Sequence, residues 1–245
     1  MLNEISKDIY CLRCDCIDGM VGIPDRSVDL LLTDPPYNLG RFMKHRNSGV
    51  HRMRSNHFSN AGWDNLDQEE WELKLDEFLY NANRVLKLGG SLVIFMSIIK
   101  VETVVKLAQR HGFYYKTTGI WHKRNPMPRN MKISFVNSTE SWIYFVNKKP
   151  SGTFNGKGRM WHDHFETSIT PKSEKDHGSH PTQKPLSLLE NFIELLSHPG
   201  DVVLDPFMGC GSTGIAAKSK NRRFCGFEIS QDYYDIAVKR MQSVI

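Results

Sequence analysis

No apolar run in this 245-residue chain approaches the roughly 20 residues a membrane span requires. Its first residues lack the basic-then-apolar pattern of a secretory signal, because Glu4 and Asp8 interrupt them. The expectation is a cytoplasmic protein with no membrane partner. Cysteine is sparse and odd in number, with Cys11, Cys14, Cys16, Cys210 and Cys225 the whole set, which argues against a disulfide framework. Cys11, Cys14 and Cys16 lack a second pair at zinc-ligand spacing, and His162-x-His164 stands alone in a loop-like stretch, so no metal is expected. Internal repeats and linker-like composition are also missing, so residues 1–245 read as one domain, of a length that can bury a substantial core.

Acid is absent from one long stretch. Between Arg41 and Phe58 stand Arg41, Lys44, Arg46, Arg52 and Arg54 with three histidines and no Asp or Glu, in a chain of formal charge +5. Lys123, Arg124, Arg129 and Lys132 form a second basic cluster. Blocks of this kind suit a polyanion, although a solvated loop face would use the same residues. Residues 38–62 carry no periodicity and read as a long mobile loop. Residues 125–178 are mostly polar and irregular, and read as a recognition insertion holding a short strand over Ser141–Asn147.

The remainder alternates between two periods. Strands are expected at 8–13, Val28–Thr33, Ser91–Met96, Tyr115–His122, Ser141–Asn147, Asp201–Leu204 and Phe224–Phe227. Apolar residues at helical spacing mark Asp67–Leu86, stopped by Gly89-Gly90, then Ile98–His111, Pro185–His198, Ile215–Lys220 and Asp232–Gln242. Alternation of this kind makes an α/β fold with a mostly parallel twisted sheet and helices on both faces.

Two stretches carry chemistry. Val28–Thr33 runs into Asp34-Pro35-Pro36-Tyr37, where two prolines stiffen the corner that aims a carboxylate and a ring. A strand-ending turn with a packed tyrosine would look the same in isolation. Far along the chain, Gly209-x-Gly211-x-x-Gly214 follows a strand, opens a helix and precedes Glu228 at the end of the next strand. Glycines there let a ligand approach the backbone, helix amides attract anionic groups, and an acid can hold ribose hydroxyls. Only 17 residues follow Glu228, too few for the second half of a dinucleotide site. A nucleoside ligand without pyrophosphate, such as S-adenosylmethionine, needs one half only.

Together Asp34-Pro35-Pro36-Tyr37, His180-Pro181-Thr182-Gln183-Lys184-Pro185, Asp205-Pro206-Phe207-Met208-Gly209-Cys210-Gly211 and Cys14-Asp15-Cys16 resemble the amino-methyltransferases of DNA. With the catalytic motif ahead of the cofactor loop, the chain is similar to their circularly permuted β class, mostly adenine-N6 enzymes with a Rossmann-like fold. The resemblance implies S-adenosylmethionine as cofactor. It implies that Asp205, Phe207, Gly209 and Gly211 wrap the cofactor, with Phe207 near the sulfonium and Ser212 and Thr213 near its carboxylate. It places Asp15 and Cys16 at the adenine ring and Glu228 on the ribose. Asp34 borders the cofactor too, while His180, Thr182, Gln183 and Lys184 close over its methionine end. Cys210, between the glycines, suggests sensitivity to thiol reagents.

Asp34, Pro35, Pro36 and Tyr37 are then the catalytic group. Asp34 and the Pro35 carbonyl accept the two N–H bonds of an extruded adenine amine, and Tyr37 stacks on the base. Arg41, Lys44, Arg46, Arg52, Arg54, Arg124, Arg129 and Lys132 grip DNA, double-stranded or single-stranded. The family also suggests a homodimer and a cognate restriction endonuclease. Two alternatives use the same residues: methylation of cytosine N4, and a non-catalytic DNA-binding subunit.

Overall fold

The computed structural model of the protein describes residues 3–39, 63, 66–128, 135–178 and 180–243. In chain order the elements are β1 (Asn3–Ser6), β2 (Ile9–Arg13), α1 (Cys16–Val21), β3 (Val28–Thr33), α2 (Gln68–Val85), β4 (Leu86–Met96), α3 (Val101–Arg110), β5 (Phe113–Lys123), β6 (Thr139–Asn147), β7 (His164–Thr167), α4 (Leu186–Leu196), β8 (Val202–Asp205), α5 (Ser212–Ser219), β9 (Arg223–Glu228) and α6 (Gln231–Ser243). Among the described residues the strands form one sheet in the order β1-β2-β9-β8-β3-β4-β6-β5-β7. From β2 through β4 every neighbouring pair is parallel. β1 is antiparallel to β2, β6 is antiparallel to both β4 and β5, and β7 is parallel to β5.

β3 shows why the centre is parallel. Leu30 and Leu32 join the core under α4, α5 and α6, whereas Val28 and Leu31 join the core under α1, α2 and α3. A strand buried on both faces needs an unbroken apolar run. Its one acid, Asp29, accepts from the Val202 amide at 3.0 Å and pairs with Lys87 at 2.7 Å, which satisfies a charge that would otherwise oppose burial. α2 starts on a capping box between Asp67 and Glu70, satisfying two helix-terminal amides.

Two expectations need correction. The 67–86 helix ends at Val85 and the chain goes straight into β4 at Leu86, so Gly89 and Gly90 lie inside the strand span rather than stopping the helix. The strand expected at Ser141–Asn147 is present as β6, which lies between β4 and β5. The stretch after it supplies β7, a further strand on the same sheet. Short and polar β1 and β7 carry too little apolar signal to be read from sequence.

The sheet has a topological switch. From β3 the chain proceeds to β4 on one side, with α2 on one face; from β8 it proceeds to β9 on the other side, with α5 on the opposite face. The crevice outside the carboxyl ends of β3 and β8 is where open α/β sheets bind ligands.

Candidate active site

Asp34 follows β3 directly, and Asp205 ends β8, its neighbour. Thr33 Oγ1 donates to Asp205 Oδ1 at 2.8 Å, joining two stretches 172 residues apart. Asp205 also accepts from the Phe207 amide at 3.1 Å and, through Oδ2, from Thr213 Oγ1 at 2.6 Å. Its carboxylate therefore folds the loop over Phe207–Gly211 onto the start of α5. Burial lifts Asp205 to about 6, a rise moderated by the Thr213, Thr33 and Phe207 hydrogen bonds.

Gly211 caps α5 in the left-handed region (φ +79°), and a Cβ there would come 3.1 Å from Ala237 and 3.2 Å from Met241. Without a side-chain cap, the first amides of α5 stay available to an anionic group. Arg240 of α6, nearly fully buried, donates to the Cys210 carbonyl at 2.5 Å and to Ser212 Oγ at 3.1 Å. Cys210 is itself buried, and burial raises its thiol above the ordinary range. That corrects the expected thiol sensitivity, since the reactive thiolate is suppressed.

Glu228 ends β9, and its Oε1 accepts from the Ser230 amide at 2.8 Å. Burial raises it, opposed by the Ser230, Gly209 and Ile229 amides. The Cys14 amide donates to the Glu228 carbonyl at 3.1 Å, bringing Asp15 and Cys16 alongside. Asp15 caps α1 through the Ile17 amide at 2.8 Å, and Cys16 is buried. Phe207 packs edge-on to Trp63 at 5.3 Å and against Phe78 at 5.8 Å. His180 stands T-shaped to Tyr233 at 4.4 Å, and a Cβ on Gly209 would lie 3.6 Å from its ring. Thr182 Oγ1 lies 3.1 Å from His180 Nδ1.

These residues fit S-adenosylmethionine on a specific observation. Gln183 Oε1 is buried without a hydrogen-bond partner among the described residues, while Gln183 Nε2 donates to the Glu174 carbonyl at 3.1 Å. A buried acceptor left unsatisfied is costly, and the ammonium of a methionine moiety is a donor of the right kind. Free helix amides for a carboxylate and the Glu228 carboxylate for a ribose diol complete the match.

The Asp34-Pro35-Pro36-Tyr37 corner is held differently. Pro35 is buried, whereas Pro36 and Tyr37 are half-buried. The Tyr37 hydroxyl donates to Asp34 Oδ1 at 2.6 Å, and the Lys184 ammonium pairs with Asp34 Oδ2. Lys184 also reaches Glu140 Oε2 at 3.1 Å, and Lys123 pairs with Glu140 Oε1 at 2.5 Å. Lys184 thus lies against the Asp34 carboxylate and is engaged by two acids, Asp34 and Glu140. Burial raises Asp34; the Lys184 charge works against that rise and Glu140 adds to it. Burial would raise Glu140 as well, but Lys184 and Lys123 bring it down to about 2. In Lys184 burial is outweighed by Asp34 and Glu140, so its ammonium is held above the ordinary lysine range. Tyr37 is pushed well above the ordinary phenol range by burial and by the same two carboxylates.

Glu140 and Arg240 are the residues that sequence reasoning missed. Glu140 has a faint signal, an acid at the mouth of an apolar strand; Arg240 has none beyond its place on the last helix. Lys123, read from sequence as part of a basic cluster, is only 13% exposed and paired with Glu140, so it is withdrawn from any polyanion surface. Arg124 remains exposed, 4.0 Å from Glu166. Arg41, Lys44, Arg46, Arg52, Arg54, Arg129 and Lys132 lie outside the described residues. His122, His164 and Glu166 bring ligand atoms within 4.8 Å of one another, but His122 already engages Glu166 at 3.1 Å and Arg124 adds positive charge beside it.

Comparison with known proteins agrees with this geometry. Residues 28–239 match the model of the N6/N4 DNA methylase family. The chain is 34% identical, over its full length and 72% of the relative, to Type II methyltransferase M.HinfI of Haemophilus influenzae. It is 33% identical to M2.DpnII of Streptococcus pneumoniae, covering 89% of this chain and 83% of that one. The solved M1.HpyAVI–SAM complex superposes with a TM-score of 0.70 at 28% identity, covering 95% of this chain and 99% of that chain. The cytosine-N4-specific PvuII DNA methyltransferase gives 0.76 at 20% identity over 95% and 86% of the two chains, a likeness of fold. With the carboxylate corner and the glycine loop meeting at one switch point, the chain belongs to the DNA methylase family, whose members methylate DNA from S-adenosylmethionine.

Proposed function

We propose that the protein methylates the exocyclic N6 of an adenine turned out of DNA. The observation that carries this reading is the Asp34 carboxylate at the end of β3, beside the glycine loop that follows β8. An exocyclic amine is a poor nucleophile because its lone pair is delocalised into the ring. Asp34 accepts one N–H and the Pro35 carbonyl accepts the other, which favours a more tetrahedral nitrogen. S-adenosylmethionine, when bound, supplies the electrophilic methyl. Asp34 stabilises the positive charge that develops on N6 and takes up the proton that N6 sheds.

Both Asp34 oxygens are occupied in the structure, Oδ1 by Tyr37 and Oδ2 by Lys184. When Tyr37 turns to stack on the base, it releases Oδ1 for the amine. Stacking contributes about 1–3 kcal/mol, enough to offset the lost hydrogen bond. Holding the amine in line can supply several of the roughly 7–11 kcal/mol available from proximity.

Arg41, Lys44, Arg46, Arg52, Arg54, Arg124, Arg129 and Lys132 are assigned to the DNA backbone, and residues 125–178 to reading the site. Within those residues, β6 lies inside the sheet between β4 and β5, and β7 forms its edge beside β5. A homodimer, a cognate restriction endonuclease and a cytoplasmic setting accompany this reading. Among the described residues no helix is long and apolar enough to cross a membrane.

The test is transfer of labelled methyl to plasmid DNA, followed by nucleoside analysis. N6-methyladenosine as its deoxynucleoside is expected; N4-methylcytosine would move the assignment to the other amine of the family. Binding of DNA without any transfer would favour a non-catalytic subunit.

A further inference from the structure

Glu140 lies on β6, outside every motif that marks the site, yet its carboxylate reaches the catalytic corner. Cross-strand pairing places it opposite Trp121, two residues from Lys123. Its Oε1 holds Lys123 at 2.5 Å and its Oε2 holds Lys184 at 3.1 Å, while the Tyr37 hydroxyl lies 3.5 Å away. Lys184 completes the chain on Asp34 Oδ2, with its ammonium 5.0 Å from the Phe95 ring centroid. The result is an alternating line, Lys123, Glu140, Lys184 and Asp34, in which the two middle members each hold two opposite charges.

Such a line solves a problem that the methyl transfer creates. Asp34 must exchange its Tyr37 partner for a neutral amine, and a buried lysine left with a single, shared carboxylate tends to lose its proton. We propose that Glu140, anchored by Lys123, is a positioning residue that keeps the Lys184 ammonium beside Asp34 while Asp34 receives the adenine amine. Lys184, so held, keeps the Asp34 carboxylate ionised. This inference rests on Asp34 being the amine acceptor. The charged and titratable groups facing the pair are Asp34 and Tyr37 after β3, Lys123 of β5, Glu140 of β6, Lys184 before α4 and Asp205 of β8.

The signs follow from those neighbours. In Glu140→Gln, Lys184 keeps a single carboxylate against its burial, so its proton leaves at lower pH. Asp34 loses a like charge and ionises at lower pH. Both limbs of the pH dependence of kcat/KM should therefore move down. In Lys184→Met, Asp34 loses its cation, and the acid limb should move up. Lys184→Arg keeps the charge and should restore that limb toward wild type.

The experiment uses the full chain, plasmid DNA and labelled S-adenosylmethionine from about pH 5.5 to pH 10, with cofactor affinity measured separately by calorimetry. Expected for E140Q is a kcat/KM profile displaced to lower pH by about one pH unit, with S-adenosylmethionine affinity within twofold of wild type. A profile superimposable on wild type, or one merely scaled down, would make Glu140 a structural brace and overturn the proposal. Should E140Q fail to fold, K184M and K184R decide it: a raised acid limb in the first, recovered in the second, supports the proposal, and equal limbs overturn it. Asp34→Asn separates the levels. Transfer surviving in D34N would refute the amine-acceptor reading itself, whereas a dead D34N with unmoved limbs in E140Q or K184M refutes only the role of the ion-pair line.

Discussion

The two halves of the site are built by opposite means. The glycine loop is tied mainly by near neighbours, Asp205 bonding to Phe207 two residues on and to Thr213 eight residues on, with Thr33 and Arg240 bracing it from farther away. The Asp34-Pro35-Pro36-Tyr37 corner is assembled from afar, with Lys184 reaching Asp34 across 150 residues and Tyr37 approaching Glu140 across 103. A loop tied mainly to its own near neighbours can be carried as a short motif. A corner that depends on charges from three other segments needs the whole sheet before its aspartate acquires a defined protonation state. The difference teaches that a motif can mark where chemistry occurs without containing what tunes it.

Asp34→Asn should break the corner and spare the loop. The amide keeps the size but loses the charge opposite the forming ammonium, so methyl transfer should fall by roughly 10³-fold. Affinity for S-adenosylmethionine, measured by titration, should change little. Loss of cofactor binding in step with activity would mean that the two halves are one unit.

Asp205→Asn probes the loop through stability. Asp205 titrates near 6 in the fold against an ordinary 3.8. A raised carboxyl favours the folded state while it is protonated, and that advantage disappears as pH rises from about 4 to 6. Ionised, it costs about 3 kcal/mol. The melting temperature of D205N should therefore trail wild type most at pH 4 and regain ground by pH 7. A constant gap across that range would show that ionisation of Asp205 does not govern the loop.

Replacing Arg240 with methionine leaves the Cys210 carbonyl and Ser212 hydroxyl short of a buried donor, at about 1–3 kcal/mol. Weaker cofactor binding, roughly tenfold, is expected at nearly unchanged saturated turnover. An equal fall in turnover would extend the loop's influence into the corner. The smallest effect should come from Tyr37→Phe, which keeps the ring and loses one hydrogen bond to Asp34, an interaction worth about 1 kcal/mol. Single-turnover transfer should change by only a fewfold, because the hydroxyl leaves Asp34 when the ring stacks. A loss as large as that of D34N would give the hydroxyl a direct part in the chemistry.

Much of the fold is legible in the chain because burial on both faces leaves an unbroken apolar signature. Val28–Thr33 is matched to the residue by β3, and the long helices show through their spacing. Asn3–Ser6 and His164–Thr167 are short and polar, and become strands only because a neighbouring edge offers hydrogen bonds. Gly89 and Gly90 mislead for a related reason: β4 needs the chain to turn immediately after α2, and the left-handed φ of Gly89, +82°, shapes the start of the strand instead of ending the helix.

What the sequence determined by itself is the pair of local devices: a stiff Asp34-Pro35-Pro36-Tyr37 corner after a buried strand, and a glycine loop opening a helix. Their geometry is set by prolines, glycines and bonds between near neighbours, so it travels with the motif. Only the tertiary structure decided that β3 and β8 lie side by side, that Lys184 serves Asp34, and that Glu140 joins them. Those contacts depend on strand order across the sheet, and electrostatic interaction in a buried site depends on distance, which a linear spacing does not encode.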